Sequence, residues 1–255
     1  MEQLTVIKVG GAVVEQPEFL NELISNFAAV PGHKILVHGG GRSATRIASD
    51  LGIESQMVEG RRVTDEKMLN VVTMVYGGLV NKNIVALMQA RGLNAAGFTG
   101  ADMNLIRAHK RPVKDVDYGW VGDLDNVDGE LLSTLIQRGI VPVMAPLSHD
   151  GQGHLLNTNA DTIASAVALA LVPYFDVTLT FAFEKNGVLL DAEDDDSVIP
   201  HLDAGLYARL KADGCITDGM LPKLDNAFAS LQKGVKKVLI TSAVDLLGHS
   251  GTIIE

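Results

Sequence analysis

The sequence predicts an α/β protein built on an open sheet. Two observations carry that prediction. An apolar strand-like run that ends in glycines and opens into a helical pattern occurs twice near the N-terminus, at residues 4–11 and 34–41. A near-continuous β-branched and aromatic run, residues 177–183, then begins a second half. Strand, glycine turn and helix is how open α/β sheets build anion sites at strand ends. With 255 residues, 47% of them hydrophobic, the chain suffices for one large domain or two small ones around a sizeable core.

The first run reads L-T-V-I-K-V-G-G. Its β-branched residues predict a buried strand, and Gly10 and Gly11 remove side-chain bulk where the chain turns. Lys8 near its end has two readings: a fixed positive charge in a phosphate site, or an edge lysine snorkelling into solvent. Residues 17–30 predict a helix with Pro17 in its first turn and Phe19, Leu20, Leu23, Ile24 and Phe27 at helical spacing. Residues 34–38 form the next strand and run into Gly39, Gly40 and Gly41, then a helix over 43–51. Three glycines expose backbone N–H groups suited to a carboxylate or phosphate, although a tight turn alone would need one.

Residues 56–64 predict a hairpin with Arg61 and Arg62 near its end, and residues 65–91 a long helix. Its core stripe is Met68, Leu69, Val72, Val75 and Leu79, and Gly77-Gly78 would allow close packing or a kink. A strand follows at 94–98, a turn at 99–102, hairpins over 104–125 and a helix over 129–138. The strand at 140–143 holds Pro142, which suggests an irregular or edge position. After a turn at 149–154 comes Leu-Leu-Asn157-Thr-Asn159-Ala-Asp161, running into an alanine-rich helix to about residue 172. Asn159 suits its N-cap. Asp161 either complements the helix dipole or orders nearby lysines.

Pro173 marks the boundary between two halves, and the part from Val177 reads as a second α/β layer. Glu184-Lys-Asn-Gly187 is a turn, and Glu193-Asp-Asp-Asp196 a solvated loop. Helices are predicted over 203–212 and from about residue 220, the latter with Lys223 near its N-terminus. A lysine there opposes the helix dipole, and such local mismatches are expected at functional sites. The final strand is 237–241, and Gly251-Thr-Ile-Ile closes the chain.

The net charge of −10 argues against nucleic acid or an anionic membrane as the main partner, but leaves phosphate binding open. Cys215 is the single cysteine, so no internal disulfide forms, and its apolar setting predicts a core residue. No apolar run reaches the roughly 18 residues of a membrane span, and no signal peptide is visible, which predicts a cytoplasmic protein. Walker, dinucleotide, zinc and serine-hydrolase motifs do not occur. The remaining chemistry is lysines, glycine-rich backbone, carboxylates and amides, a set suited to phosphoryl transfer.

Five motifs then carry a resemblance: Lys8-Val-Gly-Gly11, His38-Gly-Gly-Gly41, Gly60-Arg-Arg-Val-Thr64, Asn157-Thr-Asn-Ala-Asp161, and Ile216-Thr-Asp-Gly-Met-Leu-Pro-Lys223. In this order, spanning nearly the whole chain, they resemble the amino acid kinase family, closest to its members that phosphorylate an N-acylglutamate. The resemblance implies a three-layer αβα sandwich with a mainly parallel central sheet and two lobes. Residues 1–172 would bind the N-acylglutamate and form the dimer, and residues 173–255 would bind ATP.

The implied reaction gives N-acetylglutamyl 5-phosphate and ADP, the second step of arginine synthesis. Lys8 and Lys223 would flank the transferring phosphoryl group, with Asp161 holding both. Gly40, Gly41, Arg62 and Asn157 would contact the substrate, the arginine's planar fork matching a carboxylate. Gly10, Gly11, Glu184, Gly187, Ile216 and Thr217 would contact ATP, whose own oxygens would hold most of the Mg2+ coordination. No protein metal ligand is implied.

The chain departs from the family pattern at Phe181-Ala-Phe183-Glu184-Lys185, where members commonly end the strand in a small residue followed by Asp-Val. Arginine-inhibited hexameric members carry an extra N-terminal helix. Here the first strand begins near Leu4, so a homodimer without strong arginine feedback is expected. The residues leave acetyl and succinyl substrates open, with Arg61, Arg107 and Lys110 as candidate donors to an added carboxylate. A sibling kinase acting on a free amino acid or nucleotide, and a non-catalytic amino-acid sensor on the same scaffold, are the competing readings.

Overall fold

A computed structural model describes residues 1–58, 60–191, 193–216, 220–247 and 249–255. In chain order the first elements are β1 (Gln3–Val9), α1 (Gly11–Glu15), α2 (Pro17–Ala29), β2 (His33–His38), α3 (Gly41–Asp50), β3 (Met57–Val58) and β4 (Arg61–Arg62). A long helical run follows: α4 (Glu66–Val72), a π-helical stretch (Thr73–Val80) and α5 (Asn81–Gln89). Next are β5 (Ala95–Phe98), β6 (Ile106–Lys110), β7 (Gly122–Val127), α6 (Gly129–Gln137), β8 (Val141–Met144), β9 (Leu147–His149), β10 (Leu155–Asn157) and α7 (Ala160–Leu171). The last are β11 (Asp176–Phe183), β12 (His201–Leu202), α8 (Ala204–Ala212), α9 (Leu221–Gln232), β13 (Lys237–Ser242) and β14 (Thr252–Ile254).

Eight strands form one sheet in the order β12-β14-β13-β11-β1-β2-β8-β5. All neighbours are parallel except β13 and β14. The part from Val177 is therefore not a second layer but the other half of the same sheet, joined where β11 pairs with β1. A smaller sheet, β10-β9-β6-β7, and the β3–β4 hairpin stand beside it.

Helices cover both faces, giving three layers. Strand alternation explains how: Leu4 and Val6 enter one core with α6, α7, α8 and α9, while Ile7 and Val9 enter the other with α1 to α5. That period of two puts Lys8 on the α7 face, although the rest of β1 is apolar. Val177, Leu179 and Phe181 share the α7-side core. Phe27, Phe175 and Phe181 are among the largest fully buried side chains.

Several expectations change. A separate short helix, α1, precedes Pro17. Phe19 and Leu79 are exposed, not core. The π-helical stretch shifts the facing of the residues after it, so a stripe counted at 3.6 residues per turn drifts off the buried side by Leu79. The run Glu66–Gln89 is long and apolar enough, by length and composition, to cross a membrane. Asn70, Thr73 and Asn81 interrupt its apolar residues, so it holds no unbroken apolar run of that length. Here it is a core helix, with Met68, Val71, Val72, Val75, Val80, Ile84 and Met88 buried beside the sheet.

Pro142 lies in β8, which is flanked by β2 and β5 and so is not an edge. The ladder to β2 starts only at Val143, so Pro142 faces no paired residue on that side. Cys215 is exposed, because it follows the end of α8 rather than entering a strand.

Candidate active site

The carboxyl ends of β11, β1 and β2 converge on one edge of the sheet. Gly10 N–H donates to Ala182 O at 3.2 Å and Gly39 N–H to Val9 O at 3.1 Å, so the two glycine turns are laced to neighbouring strands. They also pack backbone against backbone. A Cβ on Gly39 would lie 2.9 Å from Gly11 N, and one on Gly11 would lie 3.2 Å from Gly40 N. This close approach is the physical reason for glycine at these positions. Neither α1 nor α3 has a side-chain cap on its N-terminus; Gly10 and Gly40 occupy those positions. Ser43 N–H donates to Glu15 Oε1 at 2.5 Å, tying α3 to α1.

Lys8 and Asp161 form an ion pair, Nζ to Oδ1 at 2.7 Å, with both side chains largely buried. Asp161 is in the first turn of α7 because Asn159 caps that helix, its Oδ1 accepting from the N–H groups of Asp161 at 2.8 Å and Thr162 at 3.1 Å. Lys223 is in the first turn of α9. Burial lowers its pKa below the ordinary lysine range; Asp161 opposes the shift and Lys8 adds to it. Electrostatically, the three groups therefore form one cluster.

An aromatic ring completes it. Lys223 Nζ lies 3.9 Å and Lys8 Nζ 5.0 Å from the centroid of Phe183. Sequence reasoning saw Phe183 only as a departure from a pattern. Its role as a shared face for two ammonium groups had no local signal, since the three residues come from β1, β11 and α9.

Arg62 is nearly buried. Its Nη2 donates to Gly41 O and Thr45 Oγ1, both at 2.8 Å, and its Nη1 to Ser55 Oγ at 2.9 Å. The guanidinium is thus fixed over the N-terminus of α3, beside Gly40 and Gly41. Asn157 Nδ2 donates to Thr64 Oγ1 at 2.9 Å, which links β10 to the segment after β4. Burial raises the pKa of Tyr76, against the opposing effect of Arg62.

A second unforeseen group is His38. It is fully buried, Nδ1 lies 2.8 Å from Gly39 O, and Nε2 lies 3.1 Å from Asn81 Nδ2. With Nδ1–H donating and Nε2 accepting, the neutral ring satisfies both contacts. Burial accordingly lowers its pKa to about 4. The strand position of His38 was legible; its partner, Asn81 from α5, was not.

The residues expected to meet the nucleotide are less uniform. Glu184 is exposed, 3.7 Å from Arg42, and with Phe183 it lines a cavity of about 270 Å³ between the α1–α2 segment and the ends of β11 and β13. Gly187 packs against β14: a Cβ there would lie 2.6 Å from Thr252 Oγ1. Ile216 is a buried core side chain. Thr217, with Asp218 and Gly219, lies outside the described residues. Arg61 is exposed on its hairpin, and Arg107 and Lys110 line another cavity with Trp120 and His154.

Residues 3–242 match the model of the amino acid kinase family. The chain belongs to the amino acid kinase family. Within this family it is 62% identical, over 254 residues, to the acetylglutamate kinase of Bacteroides fragilis, covering 100% of this chain and 97% of that protein. The acetylglutamate kinase of Bacteroides thetaiotaomicron is also 62% identical over 254 residues, covering 100% and 99%. A solved structure from Streptococcus mutans superposes with a TM-score of 0.80 at 27% identity, covering 98% of each chain. The fold of this amino acid kinase family member is thus the αβα sandwich described above.

Proposed function

We propose that this chain transfers the γ-phosphoryl group of ATP to the γ-carboxylate of N-acetyl-L-glutamate. The products are N-acetylglutamyl 5-phosphate and ADP, and the reaction is the second step of arginine biosynthesis. The observation that carries the reading is full-length identity of 62% to proteins named acetylglutamate kinase. The cluster of Lys8, Lys223 and Asp161 at the glycine edge supports it, since phosphoryl transfer needs fixed positive charge above all. Those names favour the acetyl over the succinyl substrate.

In this reading a γ-carboxylate oxygen attacks the γ-phosphorus and the bond to the bridging oxygen of ADP breaks. A carboxylate with an ordinary pKa near 4.3 is already ionised at neutral pH, so the attack needs no general base. Lys8 and Lys223 stabilise the negative charge that spreads over the transferring group. Asp161 holds Lys8 by their ion pair. Arg62 and Asn157 grip the substrate's α-side groups, and the N–H groups of Gly11, Gly40 and Gly41 face phosphate and substrate oxygens, while the Gly10 N–H stays on Ala182 O and holds the turn. Asp161, the carboxylate at this cluster, is engaged by Lys8, and among the described residues no group of three His, Cys, Asp or Glu could hold a metal. That donor set fits a Mg2+ carried mainly by ATP oxygens, where it would offset phosphate charge.

The lobes are assigned accordingly: residues 1–172 hold the amino acid and the dimer contact, and residues 173–255 the nucleotide. Exposed Met74 and Leu79 on the long helical run, with β5 at the open sheet edge, support a homodimer. An ATP-dependent biosynthetic step fits the cytoplasm. The test is hydroxylamine trapping of an acyl phosphate with Mg-ATP and N-acetylglutamate, N-succinylglutamate or free glutamate. Signal with N-acetylglutamate is expected. Signal only with N-succinylglutamate would replace the acyl group, signal only with free glutamate would make the chain a sibling kinase, and no signal from folded protein would refute the reading.

A further inference from the structure

Phe183 ends β11 with its backbone fixed on the β13 side. Its carbonyl accepts from Ala243 N–H at 2.9 Å, and it is in register with Ser242 of β13. Its ring is nearly parallel to that of buried Phe181 two residues back, at 3° and 6.4 Å between centroids. The ring is therefore held by the sheet. Onto it converge two ammonium groups from different elements, Lys223 Nζ at 3.9 Å and Lys8 Nζ at 5.0 Å from the centroid. Two like charges this close repel, and among the described residues the carboxylate of the cluster, Asp161, is 2.7 Å from Lys8. An aromatic face attracts a cation through its quadrupole without carrying a negative charge.

We propose that Phe183 is a positioning residue for phosphoryl transfer, its ring seating the ammonium groups of Lys8 and Lys223 together at the sheet edge. A second carboxylate in its place would neutralise the cluster and compete with phosphate for the lysines. The ring seats them and, among the described residues, leaves two ammonium groups against one carboxylate, so net positive charge stays available to the incoming anion. It also keeps Lys223, which leaves the first turn of α9, from swinging into solvent between turnovers. The inference rests on the assignment of both lysines to the transferring group.

The test reads both the contact and its consequence. In the unliganded wild-type chain, ring current from Phe183 shifts the ε-methylene proton resonances of Lys8 and Lys223 upfield. The signals are assigned by their loss in Lys8→Arg and Lys223→Arg. Ordinary lysine shifts for both would overturn the seating directly, whether or not any Phe183 variant folds. In activity, Phe183→Leu keeps most of the volume and loses the π face; kcat falls about tenfold with KM for N-acetylglutamate within about twofold, a contact of the strength expected for cation–π pairs. Phe183→Tyr restores kcat to within about threefold. A Phe183→Leu chain within twofold of wild type in kcat, or a Phe183→Tyr chain as impaired as Phe183→Leu, would overturn the role. A wild-type chain that makes no acyl phosphate would overturn the kinase reading and this role with it. A wild-type chain that makes acyl phosphate and is indifferent to Phe183→Leu would overturn this role alone.

Discussion

Lys8 on β1 and Asp161 on α7 are 153 residues apart in the chain and meet in an ion pair of 2.7 Å. The pair joins the strand that leads into the first glycine turn to the helix that covers it. Breaking a buried pair by removing one partner leaves the other uncompensated, which typically costs about 3–5 kcal/mol for a fully buried pair and less where solvent reaches it.

Lys8→Ala and Lys223→Ala are each expected to lower kcat by about 10²–10³, since one preorganised charge donor is worth roughly 3–4 kcal/mol of barrier. Steady-state kinetics on variants whose circular dichroism matches wild type is the check. A loss under about fivefold in both would remove them from the transferring group.

Arg62→Lys is expected to raise KM for N-acetylglutamate by about tenfold, because an ammonium cannot reproduce a planar fork that now spans Gly41 O, Thr45 Oγ1 and Ser55 Oγ. KM for Mg-ATP should stay within about twofold. An equal rise in both constants would point to a collapsed hairpin, not a lost substrate contact.

Acid should weaken the fold through His38. Its native pKa is about 4 against an ordinary histidine value of 6.5, so between these pH values the unfolded chain binds more protons. Stability therefore rises with pH across that window: it is fully present above about 6.5 and lost as pH falls toward 4, by up to about 3 kcal/mol. In thermal melts at several pH values, the Tm advantage of wild type over His38→Gln should shrink on acidification. A constant difference would mean that the buried ring does not titrate as stated.

Gly39→Ala is expected to destabilise by about 1–3 kcal/mol, because its Cβ would meet Gly11 backbone nitrogen at 2.9 Å and a backbone atom cannot swing aside. Denaturant unfolding measures it. A change under about 0.5 kcal/mol would show that the two turns have slack.

Met74→Glu with Leu79→Glu is expected to convert a dimer to monomers in light scattering while leaving the far-ultraviolet spectrum intact, since both side chains are exposed at 55% and 47%. An unchanged mass would place the contact elsewhere.

By itself the sequence determined what neighbouring residues decide. The strand–glycine–helix units, the Asn159 cap and the early-turn positions of Asp161 and Lys223 follow from local propensity and spacing, and the fold class follows from those units. Alternation along β1 even settled which face Lys8 takes once the faces were known. Only the tertiary structure decided who meets whom. Phe183 faces two lysines, and His38 reaches Asn81, because parallel register and helix placement bring segments far apart in sequence to one edge. The departures have the same cause. Leu79 is turned outward by a π-helical stretch whose extra residue no period of 3.6 anticipates, and Pro142 takes the irregular rather than the edge position, because the neighbouring ladder begins one residue later. Local sequence sets each element's shape, while packing and register set its partners.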